Sequence, residues 1–293
     1  MVKTGKAERG RSADQDHLDL GDDPRVLLCF FYMEYFLIWG HRIISEPGDS
    51  SIGRGDRGRA YFRDMVYEKG ISREVWVKAK NAKQNREGLA ELTKAFAEPE
   101  YIRKQSYAIA TVESLIRQYE QRKGAKHKVI DSVSERIKTA ASAAEKLERK
   151  GYEISYEQAV QRLNDLAGVR IVCSFRDEVY QVAEYLIERP QLTIIKTKDY
   201  IKKPKASGYQ SVHLIVDMPY PYGEENETVR AEIQIRTVAM NYWAKLDHQL
   251  CYKQEKSTPQ ETEQVRRELL SYAQEIARID KKMLALRKRI EAM

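Results

Sequence analysis

The sequence predicts an α/β fold of the α+β kind: a mixed, mostly antiparallel β-sheet flanked by helices, with a long C-terminal helix. Three observations predict it. Residues 231–237 (Ala-Glu-Ile-Gln-Ile-Arg-Thr) alternate apolar and polar side chains without a break, as a strand with one face on a core does. Shorter segments of strand character recur between stretches of helical periodicity. From Val265 to Ile290 apolar residues fall four and three apart in turn, which is a heptad seam. A chain of 293 residues, 42% hydrophobic, has ample material for a core.

Residues 1–85 read as an atypical N-terminal extension. Met1–Pro24 is polar, and Ser45–Arg59 is rich in glycine, serine and charge, a composition that resists packing. Between them runs the apolar stretch Val26–Trp39, interrupted by Glu34 and shorter than the ~20 residues that span a bilayer. It lies too far in for a signal peptide, so the chain reads as soluble, with a native start downstream at Met65 as one expectation.

Residues 86–127 form a helical lead-in, with Leu89, Leu92 and Phe96, then Ile109, Val112, Leu115, Ile116 and Tyr119 at helical spacing. Pro99 divides it into two helices. The sheet-bearing core occupies 128–253. Val133 and Ile137 alternate with Ser134, Arg136 and Lys138 in a first strand, and Thr139 caps a helix that Gly151 ends. Leu166–Phe175 is a buried strand, 178–188 a helix, and strands follow over 192–197, 211–217 and 231–237. Val238–Tyr252 is helical. Residues 254–293 hold the heptad helix, opened by a capping box at Thr258-Pro259-Gln260-Glu261.

Lys and Arg number 51 against 44 Asp and Glu, a net charge of +7 that favours anionic partners such as nucleotides or single-stranded RNA. Cys29, Cys173 and Cys251 are far apart and form no CxxC pair, which fits a reducing cytoplasm. No two of the five histidines stand at metal-ligand spacing.

Four clusters carry chemistry. Arg136 and Lys138 share a strand face, and Ser142, Lys146 and Arg149 share a helix face, together a positive wall suited to a polyphosphate. A solvated stripe is the ordinary alternative. Asp165 precedes the strand that bears Arg170; it is a turn residue or a magnesium ligand. The segment from Asp199 to His213 combines a basic loop containing Lys205 with Tyr209, Ser211 and His213 on one strand face. That suits base stacking, or equally a core tyrosine with a satisfied histidine. The fourth cluster is Glu232, Gln234 and Arg236 on one strand face, followed by Asn241, placed to read a base edge, and Trp243, which reads as core.

Taken in order, ERIKTAASAAEKLERK, LNDLAGVRIVC, DYIKKPKASGYQSVHLIV and AEIQIRTVAMNYWAKLDHQLCYK resemble the synthetase domain of RelA/SpoT homologues over roughly residues 94–293. The chain looks like a small alarmone synthetase, a single-domain GTP pyrophosphokinase of nucleotidyltransferase-like fold. The resemblance implies transfer of pyrophosphate from ATP to the 3′-hydroxyl of GDP or GTP, giving AMP and (p)ppGpp. It places Arg136 and Arg170 about the adenine, and Lys138, Ser142, Lys146 and Arg149 on the ATP phosphates. Asp165 and Glu232 would bind Mg²⁺, with Glu232 also the base. Tyr209 would stack on guanine, while Lys205, His213, Gln234, Arg236 and Asn241 would hold the acceptor or its neighbours. Two positions depart from the family pattern: Glu135 stands where a glycine is usual, and Gln210 where an arginine is usual. Gln210 has the opposite strand parity from Tyr209, so it is expected to affect packing or regulation.

A hydrolase partner activity would need a His-Asp pair, and no such dipeptide occurs, so synthesis without hydrolysis is expected. The resemblance also implies a homo-oligomer, specifically a tetramer, and the seam agrees with association. Two rivals stand beside this reading. One is the same fold with an adenosine nucleotide or a tRNA 3′ end as acceptor. The other is a non-catalytic RNA-binding protein.

Overall fold

The computed structural model describes residues 73–124, 128–252 and 258–293. The apolar run Val26–Trp39, Cys29 and the proposed start at Met65 lie outside the described residues. The chain divides into two compact units, Met1–Gly88 and Leu89–Met293. Helix α1 (Arg73–Ala97) begins inside the span read as an extension and crosses into the second unit.

Helix α2 (Pro99–Lys123) starts on the proline expected to break the helical run, since Pro at the first helical position loses no intrahelical bond. The order then runs β1 (Ile130–Ile137), α3 (Ala140–Arg149), α4 (Tyr156–Arg162), β2 (Ala167–Cys173), α5 (Arg176–Ile187), β3 (Thr193–Asp199), β4 (Val212–Pro219), β5 (Thr228–Thr237), α6 (Val238–Tyr252) and α7 (Pro259–Glu291). Among the described residues the strands form one sheet in the order β1-β2-β5-β4-β3. β2 and β5 run parallel, and the other three pairings are antiparallel. The mixed, mostly antiparallel sheet is as expected.

One face is apolar. Val169, Ile171, Leu214, Val216, Ala231, Ile233 and Ile235 are all within 1% of full burial, under Ile109, Val112 and Ile116 of α2 and Val179, Val182 and Leu186 of α5. Each such aliphatic side chain contributes about 1.5–3 kcal/mol on burial, so a one-residue slip that turned this set outward is excluded. The register is thereby fixed, and with it the opposite, polar face.

A second apolar cluster joins Leu92 and Phe96 of α1, Tyr101 of α2, Ala143, Ala144 and Leu147 of α3, Ala159 of α4 and Leu166. It seats α3, whose other side bears Lys146. Thr139 caps that helix by accepting from the Ser142 backbone N–H at 3.3 Å, and Gly151 follows it at φ 73°. The residue before that glycine is the C-cap, as the sequence indicates. Helix α4 is absent from the sequence reading. Its seven residues bury only Ala159, too few to show a period, and Ser155 supplies its cap.

The heptad seam divides in two. On α7, Leu269, Ala273 and Asp280 are buried within the second unit, whereas Tyr272, Ile279, Met283, Leu286 and Ile290 are 43–62% exposed. Arg287 fastens the far end of the helix: its guanidinium donates to Glu178 Oε1 at 2.8 Å and Asp177 Oδ2 at 2.5 Å, over the Phe175 ring. No helix among the described residues is long and apolar enough to cross a membrane.

Candidate active site

The polar face of the sheet is organised as rows running across the strands. In one row Arg136 of β1, Gly168 of β2 and Glu232 of β5 stand opposite one another. In the next stand Ser134, Arg170, Gln234, His213 and Lys198. Arg136, Asp165, Arg170, Glu232 and Gln234 line one cavity of about 360 Å³, together with Ser134, Glu135, Gly168 and Val169. Glu135 pairs with Val169 and so has the opposite strand parity from Arg136, yet the residue still lies at the wall of this cavity.

At the β1 end, Asp165 gathers cations. Its carboxylate lies 2.8 Å from Lys146 Nζ, 3.2 Å from Lys138 Nζ and 3.8 Å from Arg136 Nη2. Lys138 lies one residue beyond β1 and is buried, held by its backbone N–H to the Leu166 carbonyl at 2.8 Å. Burial pushes the Asp165 carboxyl up, but donation from Lys146 and the charges of both lysines outweigh it, leaving the group below its ordinary value. Burial lowers Lys138 more than Asp165 restores it.

At the β4 end, a hydrogen-bonded chain runs across the face. Gln234 Nε2 donates to Glu232 Oε2 at 2.9 Å, and Arg236 Nη2 donates to Gln234 Oε1 at 2.9 Å. His213 Nδ1 is 3.1 Å from Glu232 Oε1, and its Nε2 is 2.9 Å from the Tyr209 hydroxyl. An ionised carboxylate only accepts, so Nδ1 carries the proton and, in the neutral ring, Tyr209 donates to Nε2. Burial raises the Glu232 carboxyl, but His213 and Gln234 more than offset it, so the group stays ionised at neutral pH.

The Tyr209 ring is half-buried, with Lys205 Nζ 4.8 Å from its centroid and the Arg236 guanidinium 5.7 Å away. Arg236 is only 2% exposed, and burial pushes it down to about 10. It faces Tyr209 and Gln234 rather than the open cavity. Its Nε, like that of Arg170, is buried without a hydrogen-bond partner.

The expected residues thus divide into three groups. Arg136, Lys138, Lys146, Asp165 and Arg170, expected to hold the donor, come together at the β1 end. Lys205, Tyr209, His213, Glu232, Gln234 and Arg236, expected around the acceptor, come together at the β4 end. Ser142 and Arg149 instead engage their own helix, through Thr139 and Glu145 at 3.0 and 3.8 Å, and Asn241 holds a buried Oδ1 without a partner on the first turn of α6.

Residues 135–257 match the family described as a region found in RelA / SpoT proteins. The chain is 42% identical over 165 residues to GTP pyrophosphokinase YwaC of Bacillus subtilis, covering 56% of this chain and 77% of that one. The chain belongs to the small alarmone synthetases of the RelA/SpoT family. It is also 36% identical over 165 residues to GTP pyrophosphokinase YjbM of the same bacterium, covering 56% of this chain and 75% of that one. Among solved structures, it resembles small alarmone synthetase 1 from Bacillus subtilis bound to its product pppGpp, at 33% identity and a TM-score of 0.57. That match covers 67% of this chain and 96% of that one. Small alarmone synthetase 2 of the same species matches at 36% identity and a TM-score of 0.55, covering 63% and 95%.

Three residues that this synthetase places beside the candidate site escaped the sequence reading. Ser134 and Gly168 enter through cross-strand register, although Ser134 shares the parity of Arg136. Tyr200 packs edge-on against Tyr209 and His213, with Lys205 4.8 Å from its centroid. Its place in the basic loop, nine residues before Tyr209, was the available signal.

Proposed function

We propose that this chain transfers the β,γ-pyrophosphate of ATP to the 3′-hydroxyl of GDP or GTP, releasing AMP and forming (p)ppGpp, with Glu232 as the base. The observation that carries this reading is the setting of Glu232: each carboxylate oxygen is oriented by its own donor, and the group opens on a cavity shared with Asp165, Arg136 and Arg170. In the reaction the bond from the 3′-oxygen to the β-phosphorus forms, the bond from that phosphorus to the α,β-bridging oxygen breaks, and the hydroxyl proton passes to Glu232. Such a transfer needs positioning, neutralised phosphate charge and a base within reach.

Lys138, Lys146 and Arg136 supply the positive charge for the donor phosphates. They outnumber the acid they share, so a polyphosphate can take over from Asp165 as their partner. Arg136 and Arg170 on adjacent strands offer planar cations to the adenine. The Tyr209 ring receives the guanine, with Lys205 beside it.

Mg²⁺ fits Asp165 and Glu232, two largely buried carboxylates at one cavity, because that ion takes one or two carboxylates and completes its shell with phosphates and water. Among the described residues no group of three or more ligating side chains offers a full protein cage. When bound, the ion would neutralise phosphate charge that the lysines and Arg136 leave uncovered.

The exposed apolar side of α7 supports self-association, with a homotetramer carried over from the family resemblance. Sedimentation as a stable monomer at micromolar concentration would count against it. The buried, free Cys173 suits a reducing cytoplasm, where ATP and GTP are abundant. The deciding experiment incubates the purified chain with ATP, Mg²⁺ and GDP or GTP and resolves the nucleotides by chromatography. AMP and a guanosine 3′-pyrophosphate should appear together. Repeating the incubation with labelled ATP and an adenosine nucleotide or tRNA as acceptor tests the rivals, and label appearing only in those acceptors would defeat the reading.

A further inference from the structure

The inner side of α7 touches the two chain positions that neighbour the acceptor's stacking pair. Gly208, just before Tyr209, has φ +90°, and a Cβ placed there would lie 2.5 Å from Ala273 Cβ and 3.7 Å from the Trp243 ring. The loop backbone therefore rests directly on α7, in a conformation and a space that suit only glycine. Thr237, just after Arg236, donates from its hydroxyl to Asp280 Oδ2 of α7 at 3.1 Å, while its oxygen accepts the Met240 N–H that opens α6. Trp243 ties α6 to the same helix through its indole N–H to the Leu269 carbonyl at 3.1 Å. The gap left among Gly208, Gln210, Trp243, Ala273 and Asp280 is about 10 Å³, room for one water at most. Gln210, which precedes β4, lines this gap beside α7.

We infer that α7 is a built-in part of the acceptor site, in which Ala273 and Asp280 act as positioning residues for Tyr209 and Arg236. Neither residue lines the cavity that holds Glu232, and both work through the backbone on either side of the ring and its guanidinium. The donor end is seated differently among the described residues: Arg136, Lys138, Lys146 and Asp165 rest on β1, α3 and the second apolar cluster. Disturbing the inner side of α7 should therefore separate the two nucleotides. This inference rests on the assignment of Tyr209 to the guanine acceptor.

The test is isothermal titration of the full chain with GDP and, separately, with a non-hydrolysable ATP analogue in Mg²⁺, for Ala273→Leu and Ala273→Ser. Ala273→Leu should weaken GDP about tenfold or more while ATP-analogue affinity stays within about twofold. Ala273→Ser, which keeps the volume small, should bind both as the parent does. Should Ala273→Leu fail to fold, Gly208→Ala imposes the same conflict from the loop side and should give the same split. A folded Ala273→Leu or Gly208→Ala chain with unchanged GDP affinity, or with equal losses for both nucleotides, would overturn the inference and leave the proposed activity standing. A parent chain that binds no guanosine nucleotide would overturn both.

Discussion

The two ends of the cavity are held by different forces. At the donor end one carboxylate, Asp165, is shared by three cations, and charge sets the arrangement. At the acceptor end a directional chain from Tyr209 through His213, Glu232 and Gln234 to Arg236 sets it. Under the proposed function, the difference matches what each end would hold. A polyphosphate demands a surplus of positive charge and tolerates some freedom in its placing. Proton abstraction from a ribose hydroxyl demands a base fixed in angle as well as distance. Substitutions at the two ends should therefore fail in different ways.

The largest effect is expected at the base. Glu232→Gln should lower kcat by about 10²–10⁴-fold, the usual share of a positioned base, with acceptor affinity changed little; single-turnover product formation measures the first and titration the second. At the donor end, Asp165→Asn leaves the buried Lys138 without its counter-charge beside Lys146 and Arg136. Chemical denaturation should register a loss of about 3 kcal/mol, a larger effect on folding than Glu232→Gln should have, because Glu232 has no buried lysine as its partner.

Tyr209→Ala should raise the acceptor KM by the equivalent of about 1–3 kcal/mol, the worth of a stacked base, with the ATP KM unmoved. Tyr209→Phe sharpens the comparison. It keeps the ring but removes the hydroxyl that His213 engages, so its effect should fall on kcat more than on KM.

Acid provides a further distinction. The carboxyls of Asp165 and Glu232 lie below their ordinary values in the folded chain, so as pH falls the unfolded chain takes up protons first. Their contribution to stability is thus full above the unfolded values and disappears as pH drops through the folded ones. Denaturation midpoints should hold steady down to about pH 5 and then decline. Asp165→Asn should flatten that decline. The smallest effect belongs to the support of the wall: Thr139→Ala removes the cap of α3 and should cost about 1 kcal/mol with little change in either nucleotide KM.

Features that depend on local periodicity were legible in the sequence. The alternation of residues 231–237, the Thr139 cap, the Gly151 terminus and the Thr258–Glu261 capping box all reappear in the structure. Local pattern reports which way a side chain points relative to its own neighbours, and that sufficed to put Glu232, Gln234 and Arg236 together. It is silent on what stands opposite. The pairing of Gly168 between Arg136 and Glu232, the burial of Lys138, and the packing of α7 onto Gly208 come from contacts between distant segments. The heptad seam shows the same limit. Spacing identified an apolar helix but could not apportion its residues between an inner side at Leu269 and Ala273 and an outer side at Ile279 and Met283.

Gly168 interrupts the row between a cation and the base, and the missing side chain acts as a spacer. A methyl group there would meet nothing nearer than the Arg136 carbonyl oxygen at 3.6 Å, an ordinary contact that the backbone accommodates. Anything bulkier would grow into the hollow between the two side chains. A side chain at Gly168 should therefore narrow the cavity of the proposed reaction without disturbing the sheet, a place where the size of the substrate admitted would be open to change.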